Sequence, residues 1–137
     1  MLKIALAIFL IAHGLVHAGL AAAPNPYDTD AKPGAFFTSP ERSWLLLRLG
    51  LRPAAVQWIG IILVALATLG FVLAGFGVFG VSGLTTIWRT VAVFSSCVSL
   101  LLLVLFWHPW LIVGILIDVG ILITLLWTKW PPENVFQ

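Results

Sequence analysis

Apolar residues fall into four long runs, over 2–23, 53–79, 84–107 and 109–129, broken by short polar or turn-forming stretches. None of the runs alternates apolar and polar positions, as a barrel strand would. Each has the roughly 20 residues that a helix needs to cross about 30 Å of hydrocarbon. The pattern therefore predicts an all-α integral membrane protein, a four-helix transmembrane bundle in one domain. Pro53 is well placed as the first residue of the second helix. The 2–3 link (80–83) and the 3–4 link (His108-Pro109) are very short, so helices 2, 3 and 4 should be sequential antiparallel neighbours. An even number of spans puts both termini on one side.

Only the first connection, 24–52, is long. Its first half, PNPYDTDAKPG, is rich in turn formers. Its second half, SPERSWLLLRLG, predicts a short interfacial helix near 41–49. Thr38 or Ser39 would cap it, Glu41 suits its first turn and Gly50 ends it. Trp44, Leu45, Leu46 and Leu49 beside Arg42 and Arg48 suit a helix lying in the membrane surface. An ordinary packed loop helix is the competing reading. Met1-Leu2-Lys3 and the apolar run behind it resemble a signal peptide, with AGLAAA as a cleavage site. The run continues to Ala23, which favours a retained first span.

Interruptions inside the runs are few, and they coincide in depth. Asp118 lies at the centre of the fourth run and His13 at the centre of the first. Ser95, Ser96, Cys97 and Ser99 sit mid-way along the third, and Thr68 mid-way along the second. An ionisable group at the bilayer centre is costly and seldom kept without a partner. Polar groups in hydrocarbon satisfy one another inside the bundle. His13, His17, Asp118, Ser95, Ser96 and Ser99 are thus expected to form a buried polar cluster. His13 and His17 are four apart and share one helix face. His17 lies about 6 Å nearer the loop side, and His108 nearer still, at the 3–4 turn. Arg89 is a possible charge partner for Asp118, although its depth differs by about 9 Å. His13 is the better-placed partner.

Several chemistries compete for such a cluster. The favoured one is structural, with Asp118 bonded to His13 or to a serine of the third span. Haem b ligation by His13, His17 or His108 is an alternative. An i,i+4 pair leaves the same side of a helix, so it cannot bracket a porphyrin, and the depth of His108 fits a bis-histidine site poorly. A proton relay or a quinone headgroup site is a third option. A metal held by His13, His17 and Asp118 uses a recognised ligand combination, but simple pairing is the commoner arrangement, so neither a cofactor nor a metal is favoured. The sequence contains no GxSxG, P-loop or GxGxxG motif, and the His13–His17 HxxxH lacks the adjacent glutamate of a zincin helix. Catalysis is therefore not expected.

Composition agrees with the pattern. Apolar residues make up 61% of the chain and Asp, Glu, Lys and Arg only 9%, against about 25% charged in soluble domains. Mean hydropathy is +1.12. The net charge of +2 comes from scattered basic residues, with no run suited to nucleic acid. One cysteine, Cys97, excludes an intrachain disulfide. Trp58, Trp88, Trp107, Trp110, Trp127 and Trp130 sit near span ends, as an interfacial aromatic belt would. Lys3, Arg89 and Lys129 on the terminal side face Lys32, Arg42, Arg48 and Arg52 on the loop side, a balance that leaves orientation open. Small residues at four-residue spacing, Gly14 with Ala18 and Ala22, Gly70 with Ala74, Ala92 with Ser96 and Ser95 with Ser99, predict close helix contacts.

HGLVH in the first run, Trp88-Arg89 opening the third, and SLLLLVLFWHPWLIVGILID crossing into the fourth resemble a family of small bacterial four-span membrane proteins with no established activity. The layout is also loosely similar to the DoxX-like four-helix membrane proteins, whose functional residues have no counterpart motif in this chain. Together these features predict a multi-pass protein of a prokaryotic plasma membrane. The expected role is that of a non-catalytic accessory or assembly component of a larger complex. Its expected partners are the lipid bilayer and either partner membrane helices or further copies of itself. The rival role is a redox, proton-relay or quinone- or haem-binding subunit built on His13, His17 and Asp118.

Overall fold

The computed structural model describes residues 1–23, 39 and 43–132. Among these residues, all regular secondary structure is helical. Helix α1 spans Leu2–Ala22, α2 spans Pro53–Phe79, α3 spans Trp88–Leu105 and α4 spans Ile112–Leu122. A 3-10 turn, Pro109–Leu111, leads into α4, and a π turn, Ile123–Trp127, extends it. With those extensions, all four helices are long and apolar enough to cross a membrane.

The ends of α2 fall where the residues dictate. Pro53 opens it, because its missing N–H would have no helical partner there. Gly80 closes it at φ 104, a left-handed conformation that costs glycine little. Helix α3 is shorter than its apolar run. Residues 82–87 form turns, with Gly83 at φ 83, and helical geometry begins at Trp88. His108 caps the next helical turn: its Nδ1 accepts from Trp110 N at 3.3 Å, with Pro109 directly behind it. The π turn bonds Thr128 N to Ile123 O at 3.1 Å, and Thr128 Oγ1 donates to Thr124 O at 2.8 Å.

Glycine contacts fix the packing of α1 on α2 and of α2 on α3. A Cβ added at Gly14 would lie 2.9 Å from both Phe71 Cβ and Thr68 O, and one at Gly75 would meet Ile11 and Ala7 O. Partner numbers fall along α2 as they rise along α1, so the two helices run antiparallel. Gly70 against Ser95 and Gly77 against Trp88 give the same sense for α2 and α3. Ser99 beside Asp118 and Leu103 beside Gly114 give it for α3 and α4. These are small-residue contacts that bring backbones together, and the stripes read from the sequence supply Gly14, Gly70 and Ser95.

Two apolar clusters occupy the ends of the bundle. One contains Val56, Val64, Leu102, Leu103, Phe106 and Leu111; the other contains Leu10, Phe71, Val78, Trp88, Ala92 and Ile121. Between them lies a layer of buried polar side chains.

Two expectations are corrected here. The surface helix expected near 41–49 is not continuous. Thr38, Glu41 and Arg42 lie outside the described residues, and 44–50 form turns that end at Gly50, φ 78. The segment is pinned to the end of α3 instead. Ser43 Oγ donates to Leu105 O at 3.0 Å, Trp44 Nε1 donates to Val104 O at 2.8 Å, and Leu46 is buried in the core. Those carbonyls are among the last of α3 and have no helical partner, so they attract donors from elsewhere. Trp88 is the second correction. It is buried, whereas Trp58, Trp107, Trp110, Trp127 and Trp130 are exposed.

Candidate functional site

The polar layer is built by three helices. Helix α1 contributes His13 and His17, α3 contributes Ser99, and α4 contributes Asp118. All four side chains are buried. Asp118 is engaged at both carboxyl oxygens. Its Oδ1 lies 3.0 Å from His13 Nε2, and its Oδ2 receives the Ser99 hydroxyl at 2.5 Å. Ser99 Oγ lies 3.0 Å from His17 Nε2. A serine has one proton to give. Since Ser99 gives it to Asp118, His17 must donate its Nε2–H to Ser99. The chain of bonds thus runs from His17 through Ser99 to Asp118, and His13 closes it from the other side.

Proton counting leaves one atom over. With Nε2 protonated, neutral His17 has a bare Nδ1 lone pair, and that atom is buried with no hydrogen-bond partner among the described residues. Phe71 of α2 packs against both imidazoles. Its ring meets His13 edge-on at 4.7 Å and lies parallel to His17 at 6.2 Å. Phe9 stacks on the outer face of His13 at 6.1 Å. The aromatic rings pack against both histidines and help to enclose them.

The remaining expected members separate from this network. Ser95 Oγ donates to Val91 O at 2.7 Å, one turn back on its own helix. It occupies the hole left by the missing side chain of Gly70, where an added Cβ would overlap it. The hydroxyls of Ser96 and Thr68 are buried, and neither has a partner among the described residues. Arg89 does not serve Asp118. Its guanidinium lies over the Trp88 ring at 5.4 Å and donates to the carbonyls of Lys129 and Pro131, which the chain end brings to its own depth. His108 stays at the 3–4 turn, where its ring caps the next helical turn. Residue counting located His13, Asp118 and the serine layer. It did not single out Phe71, although Phe71 lies three residues from Thr68 on α2.

What the cluster can do chemically follows from this geometry. It can hold three helices together through charge-assisted hydrogen bonds, pass a proton along the His17–Ser99–Asp118–His13 chain, or offer lone pairs to a metal. A porphyrin is disfavoured, because Phe71 fills the space beside both imidazoles. An apolar cleft of about 400 Å³ opens between α1 and the fourth helical stretch, walled by Leu6, Phe9, Ile117, Gly120 and Leu125. Neither His13 nor Asp118 is part of that lining.

No protein-family model matches the chain, and comparison with curated proteins and with solved structures returns no significant match.

Proposed function

We propose that the chain is a multi-pass protein of a prokaryotic plasma membrane and serves there as a non-catalytic accessory or assembly component. The observation that carries the membrane placement is the distribution of exposed side chains. Ile4, Ile8, Leu15, Leu66, Leu69, Leu101, Leu116 and Leu126 all lie on the outside, while the carboxyl of Asp118 is fully enclosed. Water would penalise such a surface; hydrocarbon would not. An accessory role is supported by the way the polar groups are spent. Both oxygens of Asp118 are committed within the chain, and the cleft beside them is apolar. Little of the fourth helical stretch is buried, which leaves most of its circumference to lipid, a partner helix or a second copy.

Cys97 offers a direct test of placement. It is exposed on α3, two residues from Ser99 and near the depth of the cluster. A charged maleimide added to intact membranes should leave Cys97 unlabelled, and labelling should become complete once detergent unfolds the protein. Ready labelling in intact membranes would contradict a spanning α3. Extraction into lipid nanoparticles tests the role. The expected particle contains further polypeptides or copies, and a lone chain in lipid would contradict it.

A second reading, proton handling within a redox complex, is favoured by the continuous donor chain from His17 to Asp118. It predicts that Asp118→Asn leaves the fold intact but abolishes the activity of the host complex.

A further inference from the structure

We propose that His13, His17 and Asp118 form a binding site for a first-row divalent metal ion of the zinc class, seated in the polar layer of the bundle. Each of the three side chains is buried and offers one ligand atom, and these atoms lie within 4.8 Å of one another. Two imidazoles and one carboxylate form a recognised ligand set for such ions. Histidines four apart on one helix are a standard way to present two nitrogens to one ion. Here their ring centroids are 5.2 Å apart. Facing helices supply the set from both sides, as metal sites in helix bundles are built.

A second, independent observation points the same way. His17 Nδ1 is a buried basic nitrogen that no donor among the described residues satisfies. Buried polar atoms are seldom left so, and a metal ion is one of the few groups that would use the lone pair without bringing a proton. The surroundings also suit a site. Ser99, hydrogen-bonded to both His17 and Asp118, would orient those two ligands, as groups behind a metal's ligands usually do.

The three ligand atoms, within 4.8 Å of one another, must draw closer to share one ion. With bonds of about 2.0–2.1 Å, tetrahedral ligand atoms sit about 3.4 Å apart. His13 Nε2 and Asp118 Oδ1 are already at 3.0 Å. Pairs wider than the tetrahedral spacing would close by turning imidazole rings. Ligation through His13 Nε2 requires that nitrogen to be bare, so a proton held there moves to Nδ1 or is displaced as the ion enters. Three protein ligands leave a position for water. This inference does not depend on the accessory role, since a structural ion and a functional one would both sit there.

Co²⁺ is the probe, because its visible d–d bands report low coordination number directly. The full chain, purified in detergent with a tag free of histidine and stripped with chelator, is titrated with Co²⁺ and then with Zn²⁺. The expected result is one Co²⁺ per chain, with bands of four- or five-coordinate cobalt that Zn²⁺ abolishes. His13→Ala, His17→Gln and Asp118→Asn should each lose the bands, and His108→Ala should keep them. Ser99→Ala should weaken affinity by about 10–100-fold. His17→Gln retains a side chain able to donate to Ser99, so its thermal unfolding separates a lost ligand from a lost fold. Absence of the bands in the wild type would overturn the proposal. So would bands that persist in His17→Gln or Asp118→Asn. Neither result would bear on whether the helices span a membrane, which the Cys97 labelling decides.

Discussion

His13 and Asp118, 105 residues apart in the chain, meet at 3.0 Å and are both buried. Their contact joins the first helix to the fourth, which otherwise meet across the apolar cleft. Ser99 extends it, because the same carboxyl takes the Ser99 hydroxyl, and Ser99 in turn takes the proton of His17. One carboxyl therefore ties together three helices.

The serines of α3 give the sharpest test. Ser99 bridges two buried groups, whereas the hydroxyl of Ser96, equally buried, has no partner among the described residues. Ser99→Ala strands His17 Nε2 and Asp118 Oδ2 together. Leaving buried polar groups unpaired costs about 1–3 kcal/mol each. Thermal unfolding in detergent should show a clear loss for Ser99→Ala. Ser96→Ala should be neutral or slightly stabilising, since it removes an unsatisfied hydroxyl. Equal effects of the two substitutions would count against the network.

Gly14 tests the approach of α1 to α2. A methyl there would lie 2.9 Å from Phe71 Cβ and from the backbone oxygen of Thr68. The oxygen belongs to the helix and cannot swing aside. Gly14→Ala should destabilise the bundle by about 1–3 kcal/mol, the usual cost of overpacking. Gly19→Ala is the control, because nothing lies within 4 Å of an added Cβ there. Similar unfolding temperatures for the two variants would refute the register assigned to α1 and α2.

Asp118→Asn separates shape from charge. The amide keeps the size of the carboxyl, accepts from Ser99 with its oxygen and donates to His13 once that ring changes tautomer. Stability in detergent should stay within about 1 kcal/mol of the wild type, while Asp118→Leu, which strands both partners, should lose about 1–3 kcal/mol per abandoned group. An Asn variant as damaged as the Leu variant would mean that negative charge, and not hydrogen bonding, holds the layer.

Much of the helical framework is legible in the residues. Pro53 and Gly80 mark the ends of α2 because each does something locally that other residues do poorly. The pairing of His13 with Asp118 follows from depth counting, since both lie at the centres of their apolar runs. The choice among Ser95, Ser96 and Ser99 does not follow. All three sit at one depth, and only the roll of α3, set by the seat of Ser95 in the hollow at Gly70, decides which serine faces Asp118. Similarly, the apolar run from 84 hides the turn at Gly83. The 44–50 segment has the composition of a surface helix, but its backbone is set by the distant carbonyls of Val104 and Leu105. Contacts between remote positions leave no mark on local pattern.

The central claim is that one continuous hydrogen-bond network around Asp118 occupies the middle of the bundle. Nitrogen-15 solid-state NMR of the metal-free protein in lipid bilayers, with its histidines labelled, tests it most directly. The account predicts that His17 carries its proton on Nε2 and leaves Nδ1 bare. Ser99→Ala should shift the His17 signals, Asp118→Asn should shift those of His13, and both should leave His108 unchanged. A His17 protonated on Nδ1, or His13 signals indifferent to Asp118→Asn, would contradict it.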